Sequence, residues 1–256
     1  MVLALPCMAK AQVSYNDVDT DFGGRMSVSL DKKIKKGLHV SLDGEIRMKD
    51  DYNTLGRYQA GAGISWKASR MFKFGAGYIF FARRKSSVSE WKPRHRAYGD
   101  ASLTLSYGDW RFSVKERLQL THRDGVNKYQ NTPNLLELKS RVKVAYKGFS
   151  DWTPYGYAEV RNVFNDPTCN AVWSTTYNTF TDYSFTGYDA AYFNRCRGVL
   201  GAEWKLSRNH SFDFFLIGDY CYDKVIDTDK SGTTLKSLGF DRGLQFSTGI
   251  GYTFSF

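Results

Sequence analysis

Apolar and polar side chains alternate along most of the chain, in runs of about a dozen residues. In the segment 38–49, every second residue from Leu38 to Met48 is apolar or glycine, and the residues between them are polar. The segments 57–67 and 136–147 repeat the pattern. Runs of this length exceed the usual strand of a globular protein and are typical of tilted strands that cross a membrane.

Eleven segments follow this pattern, and the connections between them are alternately short and long. The segments lie near residues 23–33, 37–49, 55–67, 70–82, 94–107, 109–122, 135–147, 152–165, 190–206, 210–222 and 243–256. Because both ends of a single-chain bacterial barrel lie on the periplasmic side, an even number of strands is expected. We therefore predict an all-β, up-and-down antiparallel transmembrane barrel of about twelve strands, within a range of ten to fourteen. The twelfth strand would come from segment 11–19 or 233–240, and the longest loops would cover 166–189 and 223–242.

A soluble barrel would show the same alternation, but three features favour a membrane barrel. The polar face is densely charged, with Lys139, Arg141 and Lys143 on one side of one segment. Aromatic residues gather at the segment ends beside the short connections, as in interfacial girdles. The chain also ends in alternating apolar residues and a terminal phenylalanine, which resembles the signal that the barrel-assembly machinery recognises. The residues of that signal are Ile250, Tyr252, Phe254 and Phe256.

The domain organisation follows from the absence of any linker-like stretch. The chain has 256 residues with only 5 Pro, so we predict one barrel domain over residues 12–256. Residues 1–11 combine an apolar stretch with an Ala9-Lys10-Ala11 cleavage pattern and are interpreted as the remnant of a signal peptide. We expect the outer membrane of a Gram-negative bacterium as the location, with outer-membrane lipid and the barrel-assembly machinery as partners.

The formal net charge of +10 would also suit a nucleic-acid binder. Here, however, many basic residues occupy the polar face of strands, so we expect them in the lumen and expect no nucleic-acid partner. Because sequential strands are neighbours, they form one basic wall that could bind or conduct small anions. Its residues are Arg111, Lys115, Arg117, Lys139, Arg141, Lys143, Arg161, Arg195 and Arg197. The luminal acidic residues that could partly neutralise it are Glu137, Glu159, Glu203, Asp213 and Asp219.

Several pieces of the chain resemble a known family. They include DFGGRMSVSLDKKI, WKPRHRAYGDASLTLSYGDWRFSVKERLQ and the terminal FSTGIGYTFSF. They resemble the family called domain of unknown function 2490, which comprises small outer-membrane barrels with no assigned activity. The resemblance covers nearly all of the chain after Gln12. It implies a fold and a location and supplies no functional residues.

The sequence offers little catalytic chemistry. His39 and Ser41 resemble the His and Ser two residues apart of outer-membrane phospholipases, but the alternation directs them into the lumen, where ordinary hydrogen bonding is expected. The four histidines lack ligand spacing, so we predict no metal and no cofactor. We predict no catalytic residues.

Two further expectations depend on the direction of side chains. Cys196 and Cys221 should face opposite sides of the barrel wall and form no disulfide. Glu116 falls at an outward position, where a carboxylate is costly, so we expect a local bulge that turns it inward.

The sequence therefore leaves three functions open. The first is a narrow channel or binding barrel for small, anionic solutes. The second is a structural or surface-interaction barrel whose lumen is plugged by salt bridges. The third is an outer-membrane lipid-modifying enzyme.

Overall fold

The computed structural model describes residues 14–15, 18–84, 90–177 and 179–256. Their regular structure consists of strands: β1 (Ser14–Tyr15), β2 (Asp19–Lys35), β3 (Leu38–Lys49), β4 (Thr54–Lys67), β5 (Phe72–Arg84), β6 (Trp91–Tyr107), β7 (Trp110–Arg123), β8 (Asn134–Tyr146), β9 (Trp152–Ser174), β10 (Thr179–Lys205), β11 (His210–Thr228) and β12 (Leu235–Ser255). None of the residues described belongs to a helix that is long and apolar enough to cross a membrane. The predicted signal-peptide remnant, residues 1–11, lies outside the described residues.

Strands β2 to β12 form one closed barrel. Each strand pairs antiparallel with the next, and β12 pairs with β2 in parallel to close the sheet. The barrel has eleven strands, within the predicted range and one fewer than the predicted twelve. Because the number is odd, the first and last strands run in the same direction, and the expectation of an even number is not met. The two-residue β1 adds a short parallel pairing to β12.

The candidate segments for a twelfth strand have other roles. Residues 235–240 are the start of β12, which pairs with β11 over most of its length. Of segment 11–19, the described residues contribute β1 and the first residue of β2.

The two ends of the barrel differ. At the turn rim, where β2 meets β3 and β12 ends, the connections are short. At the opposite loop rim, the strands β9 to β12 extend beyond their neighbours. Pairing between β8 and β9 stops at Glu137 and Val163, whereas β9 continues to Ser174 beside β10. The predicted loops 166–189 and 223–242 are therefore wrong, since most of these residues are strand. Their backbone polar groups are satisfied by pairing within each hairpin, although many of the side chains are polar.

The projecting β9–β10 and β11–β12 hairpins share a small apolar core. Its buried residues are Cys169, Ala171, Ile226 and Leu235, with Phe180, Tyr183 and Leu238 packed against them. The loop between β7 and β8 contacts both hairpins. Gln130 Nε2 donates to Asp227 Oδ1 at 2.9 Å, and the rings of Tyr129 and Phe185 meet edge to face. These contacts hold the two hairpins together above the loop rim.

The outer face of the barrel is apolar and the inner face is charged. Leu42, Leu200 and Leu216 expose 54%, 69% and 60% of their surface on the outer face. Glu137 and Asp219, on the inner face, are buried. A soluble protein would reverse this arrangement, so the fold is a transmembrane β-barrel whose outer surface is suited to lipid.

Contacts between aromatic rings and a hydrogen bond from the last residue stabilise the turn rim. Trp152 stacks on Trp204 with ring centroids 5.7 Å apart, and Trp110 meets Tyr146 at 5.0 Å. The Phe256 amide donates to the Asp31 carbonyl at 2.9 Å. The terminal residue is thus tied to β2 across the closing seam of the barrel.

Glu116 differs from its prediction. Neither pairing of β7 contains a bulge at this position, and Glu116 lies opposite Ala101 on one side and Ser140 on the other. The residue is exposed on the outer face, where its carboxylate accepts a hydrogen bond of 2.5 Å from Ser140 Oγ. The predicted inward bulge is therefore wrong, because a hydroxyl on the neighbouring strand serves as the partner instead.

The cysteines lie as the alternation predicts. Cys196 is exposed on the outer face, whereas Cys221 is buried on the inner one, and both are free thiols. The residue opposite Cys196 in β11 is Tyr220, which confirms that the two cysteines face opposite sides of the wall.

Candidate functional site

Two cavities occupy the lumen. The inner chamber, of about 370 Å³, lies toward the turn rim and is lined by residues such as Lys143, Tyr155 and Asp213. The outer chamber, of about 350 Å³, lies toward the loop rim and is lined by residues such as Arg83 and Arg123. The two share four lining residues, which are Arg25, Arg47, Arg57 and Arg96. These arginines mark the boundary between the chambers.

Basic side chains dominate both chambers. Among the described residues, ten lysines and arginines line the inner chamber against three carboxylates, and eleven line the outer chamber against four. The barrel wall is surrounded by lipid, so charges in such a lumen are poorly screened and attract anions. The chambers are therefore electropositive along their whole length.

The strand register arranges many of these cations in two rows. The first basic row consists of Arg25, Arg47, Arg57 and Arg83, which lie directly opposite one another on β2 to β5. The second basic row consists of Arg117, Lys139, Arg161 and Arg195, which do the same on β7 to β10. Like charges placed opposite one another on neighbouring strands destabilise a sheet. Such rows require negative charge nearby.

Asp219 supplies negative charge at the closing seam. Its side chain is 0% exposed and accepts from Arg197 Nε at 2.6 Å and Arg197 Nη2 at 2.9 Å. Arg25 Nη2 lies 3.1 Å from the same carboxylate, and Arg195 Nη1 lies 3.7 Å away. Because Arg25 belongs to β2 and Asp219 to β11, this ion pair reaches over β12 and links the first strand to the strands at the other end of the sheet.

Three more carboxylates form ion pairs with cations of the second basic row or with cations beside it. Glu137 lies 3.1 Å from Arg161 and also accepts from Gln119. Glu159 accepts from Arg141 Nη2 at 2.6 Å. Asp100 binds Lys115 at 3.0 Å and Arg117 at 2.7 Å.

Aromatic rings contact several of the luminal cations. The guanidinium of Arg57 lies 3.9 Å from the ring centre of Phe81, and Arg96 lies over the same ring. Lys143 Nζ lies 3.7 Å from the ring centre of Tyr155. These cation–π contacts stabilise positive charge without neutralising it.

Comparison with known families identifies the chain. Residues 23–229 match the family described as "Protein of unknown function (DUF2490)". The chain belongs to this family. No curated protein matches this DUF2490 chain. Among solved structures, the "Anion-selective porin from Comamonas acidovorans" matches 87% of this chain and 56% of the porin chain, so this chain spans just over half of the porin's length. The sequence identity is 11% and the TM-score is 0.34.

The DUF2490 barrel places most of the predicted basic wall in the chambers. Eight of the nine residues line one chamber or the other, and Arg111 is exposed near the turn rim and lines neither. Among the acidic residues, Glu137, Glu159 and Asp213 line the chambers, Asp219 is buried beside its arginines, and Glu203 lines neither chamber.

The residues of the predicted assembly signal lie on β12 and at its end. Ile250, Tyr252 and Phe254 lie opposite Met26, Val28 and Leu30 of β2 in the parallel seam. Phe256 follows as an exposed ring, stacked on Phe254 with centroids 5.3 Å apart.

The first basic row was not identified from the sequence, nor were Arg94, Arg96 and Arg123. Arg47 and Arg57 do fall on the polar faces of alternating segments, so their direction was predictable. Their alignment with Arg25 and Arg83 depends on the register between strands, which the alternation alone does not determine.

The histidine and serine near the turn rim form no nucleophilic pair. His39 Nδ1 lies 2.7 Å from Asp31 Oδ1, whereas Ser41 Oγ donates to Asp43 Oδ2 at 3.2 Å. Over the described part of the chain, no group of three or more His, Cys, Asp or Glu side chains could hold a metal ion.

Proposed function

We propose that this protein is a narrow outer-membrane barrel of a Gram-negative bacterium that conducts or binds small anions. The excess of basic side chains in both chambers carries this proposal. A cation that enters the lumen meets poorly screened repulsion, whereas an anion is attracted from either rim.

The course of the ion pairs supports an open lumen over a plugged one. A plug requires pairs that cross the barrel from one wall to the opposite wall. Within the described residues, each luminal pair instead lies on one strand, as Arg47 with Glu45 does, or joins strands that are neighbours or are separated by one strand, such as Arg141 with Glu159 and Arg25 with Asp219. The pairs therefore follow the wall and leave the two chambers between them.

The projecting hairpins favour a second function, which is partner binding at the loop rim. β9 to β12 extend beyond the barrel and share their own apolar core. An extension held together in this way presents a fixed surface. A test that requires no known substrate is to delete residues 168–185 from the β9–β10 hairpin. The deletion should abolish partner binding and leave conductance unchanged.

A lipid-modifying activity is supported least, because Ser41 donates to Asp43 rather than to His39. A phospholipase assay with purified protein and with Ser41→Ala tests it. Equal background activity in both proteins is the expected result, and activity that depends on Ser41 would revive this function.

Conductance in planar bilayers tests the channel proposal directly. Purified protein should insert and give small, discrete current steps in potassium chloride. The control is the same preparation after boiling, which should give none. Repeated insertion trials that yield no steps, with a preparation shown to be folded by its gel mobility, would contradict the channel and leave binding or a plugged barrel.

A further inference from the structure

The outer chamber contains more arginine than its carboxylates can neutralise. In the described part of the chain, Arg57, Arg83, Arg94 and Arg123 have no carboxylate within ion-pair distance, whereas Arg25, Arg96 and Arg161 each have one. Arg195 lies 3.7 Å from Asp219, which Arg197 and Arg25 approach more closely. We define Arg57, Arg83, Arg94, Arg123 and Arg195 as the outer arginine cluster.

The cluster surrounds the chamber from several strands. Arg57 lies opposite Arg83 in the pairing of β4 with β5, and Arg94 lies opposite Arg123 in the pairing of β6 with β7. Arg195 belongs to β10, on the other wall, and lines the same chamber as Arg83. A small solute in the chamber can therefore contact guanidinium groups from more than one side.

The other carboxylates of the chamber already have partners on the wall. Asp166 accepts from Tyr192 at 2.8 Å, Asp223 accepts from Asn194 at 3.0 Å, and Asp21 accepts from the Asp50 amide at 2.8 Å. The cluster, in contrast, retains unused donors. The Nε atoms of Arg57, Arg123 and Arg195 are buried and have no hydrogen-bond partner among the residues that the structure describes. Buried donors without acceptors are rare in folded proteins and indicate an acceptor that the protein itself does not supply.

We propose that the outer chamber binds a phosphate group, either as the free ion or as part of a small phosphorylated solute, through the outer arginine cluster. The inference rests on the proposed function in one respect, namely that solutes reach the lumen. Guanidinium groups bind phosphate with two parallel hydrogen bonds, and a phosphate dianion has enough oxygens and charge for several arginines at once. Chloride offers one charge and no directional acceptors. A volume of about 350 Å³ is within the range of small-molecule sites.

Calorimetric titration of the folded, detergent-solubilised full chain tests the site without a membrane. The probes are inorganic phosphate, glucose 6-phosphate and glucose, each in buffer of constant ionic strength. The variant is Arg83→Gln with Arg123→Gln, and the matched control is Arg70→Gln, which is exposed at the turn rim. Each arginine lost should weaken phosphate binding about tenfold or more. The double variant Arg83→Lys with Arg123→Lys keeps the positive charge but loses the paired hydrogen-bond donors of the guanidinium groups. It should weaken phosphate binding less than the double glutamine variant does.

The outcomes separate the possibilities. Tighter binding of glucose 6-phosphate than of inorganic phosphate assigns the site to a phosphorylated solute, and the reverse assigns it to the free ion. The inference is overturned if wild type and the glutamine variant bind phosphate equally, or if neither phosphate probe binds. If phosphate binds to a protein that conducts no current, the inference stands and the channel fails. If the protein conducts chloride but binds no phosphate, the channel proposal stands and the inference of a phosphate site is overturned.

Discussion

Replacing Asp219 with asparagine should destabilise the barrel strongly. The carboxylate is 0% exposed and lies within 3.1 Å of Arg25 and Arg197 and 3.7 Å from Arg195. Asparagine fills nearly the same space, so the change removes charge without creating a cavity. Three guanidinium groups then face one another with no anion between them. Removing one partner from a buried ion pair costs about 3–5 kcal/mol, and the hydrated lumen favours the lower end of that range. The unfolding temperature should fall by roughly 6–12 °C, at about 2–4 °C for each kcal/mol.

The assay is the temperature at which the folded band on a detergent gel converts to the unfolded band. Asp43→Asn is the matched control, since Asp43 is exposed and, in the described part of the chain, accepts side-chain hydrogen bonds from Ser29 and Ser41 and forms no ion pair. Its effect should stay within about 0.5 kcal/mol. Arg25→Gln should lie between the two, because Asp219 keeps its two bonds to Arg197. Equal melting of the Asp219 and Asp43 variants would refute the role assigned to this carboxylate in holding the seam.

Three further outcomes are expected. Glu116→Leu should raise the free energy of unfolding in lipid by up to about 2 kcal/mol, because a carboxylate on the lipid face is costly. Urea unfolding measures the change, and a loss of stability would mean that the hydrogen bond from Ser140 outweighs that cost. In lipid vesicles, a charged maleimide should spare Cys196, which faces the membrane, and under denaturing, non-reducing conditions both Cys196 and Cys221 should react as free thiols; a mapped bridge would contradict their placement. Hydrogen bonds to the Asp229 carboxylate hold its pKa well below the usual value. The turn between β11 and β12 should therefore persist as pH falls through 4 and open only in stronger acid. The NMR chemical shifts of the backbone amides in this turn would detect the opening, and opening near pH 4 would contradict the prediction.

The alternation predicted the barrel class and the direction of most side chains. A period of two residues is a local property, so the outward position of Leu42 and the inward position of Arg141 needed no knowledge of neighbouring strands. The strand count and the long hairpins were harder to predict. The segments 166–189 and 223–242 lack strict alternation, because above the loop rim they contact water and a small shared core rather than lipid.

The candidate site was predictable only in part, for the same physical reason. The second basic row came from consecutive segments whose polar faces were evident, including Lys139 and Arg161. Predicting the first row requires the register that aligns Arg25 with Arg57 through β3. Predicting the ion pair of Arg25 with Asp219 requires the knowledge that β2 pairs with β12 to close the barrel. Register and closure arise from pairing across the whole sheet and are not encoded in any one segment.

The reversal potential of the reconstituted barrel in a gradient of potassium chloride tests the anion proposal most directly. The excess of positive charge in both chambers predicts that chloride permeates better than potassium, with the greatest preference at low ionic strength, where the lumen is least screened. Arg141→Gln with Arg195→Gln should weaken the preference, whereas Arg70→Gln should not. A reversal potential of the sign expected for cation selectivity in the wild-type protein would contradict the proposal.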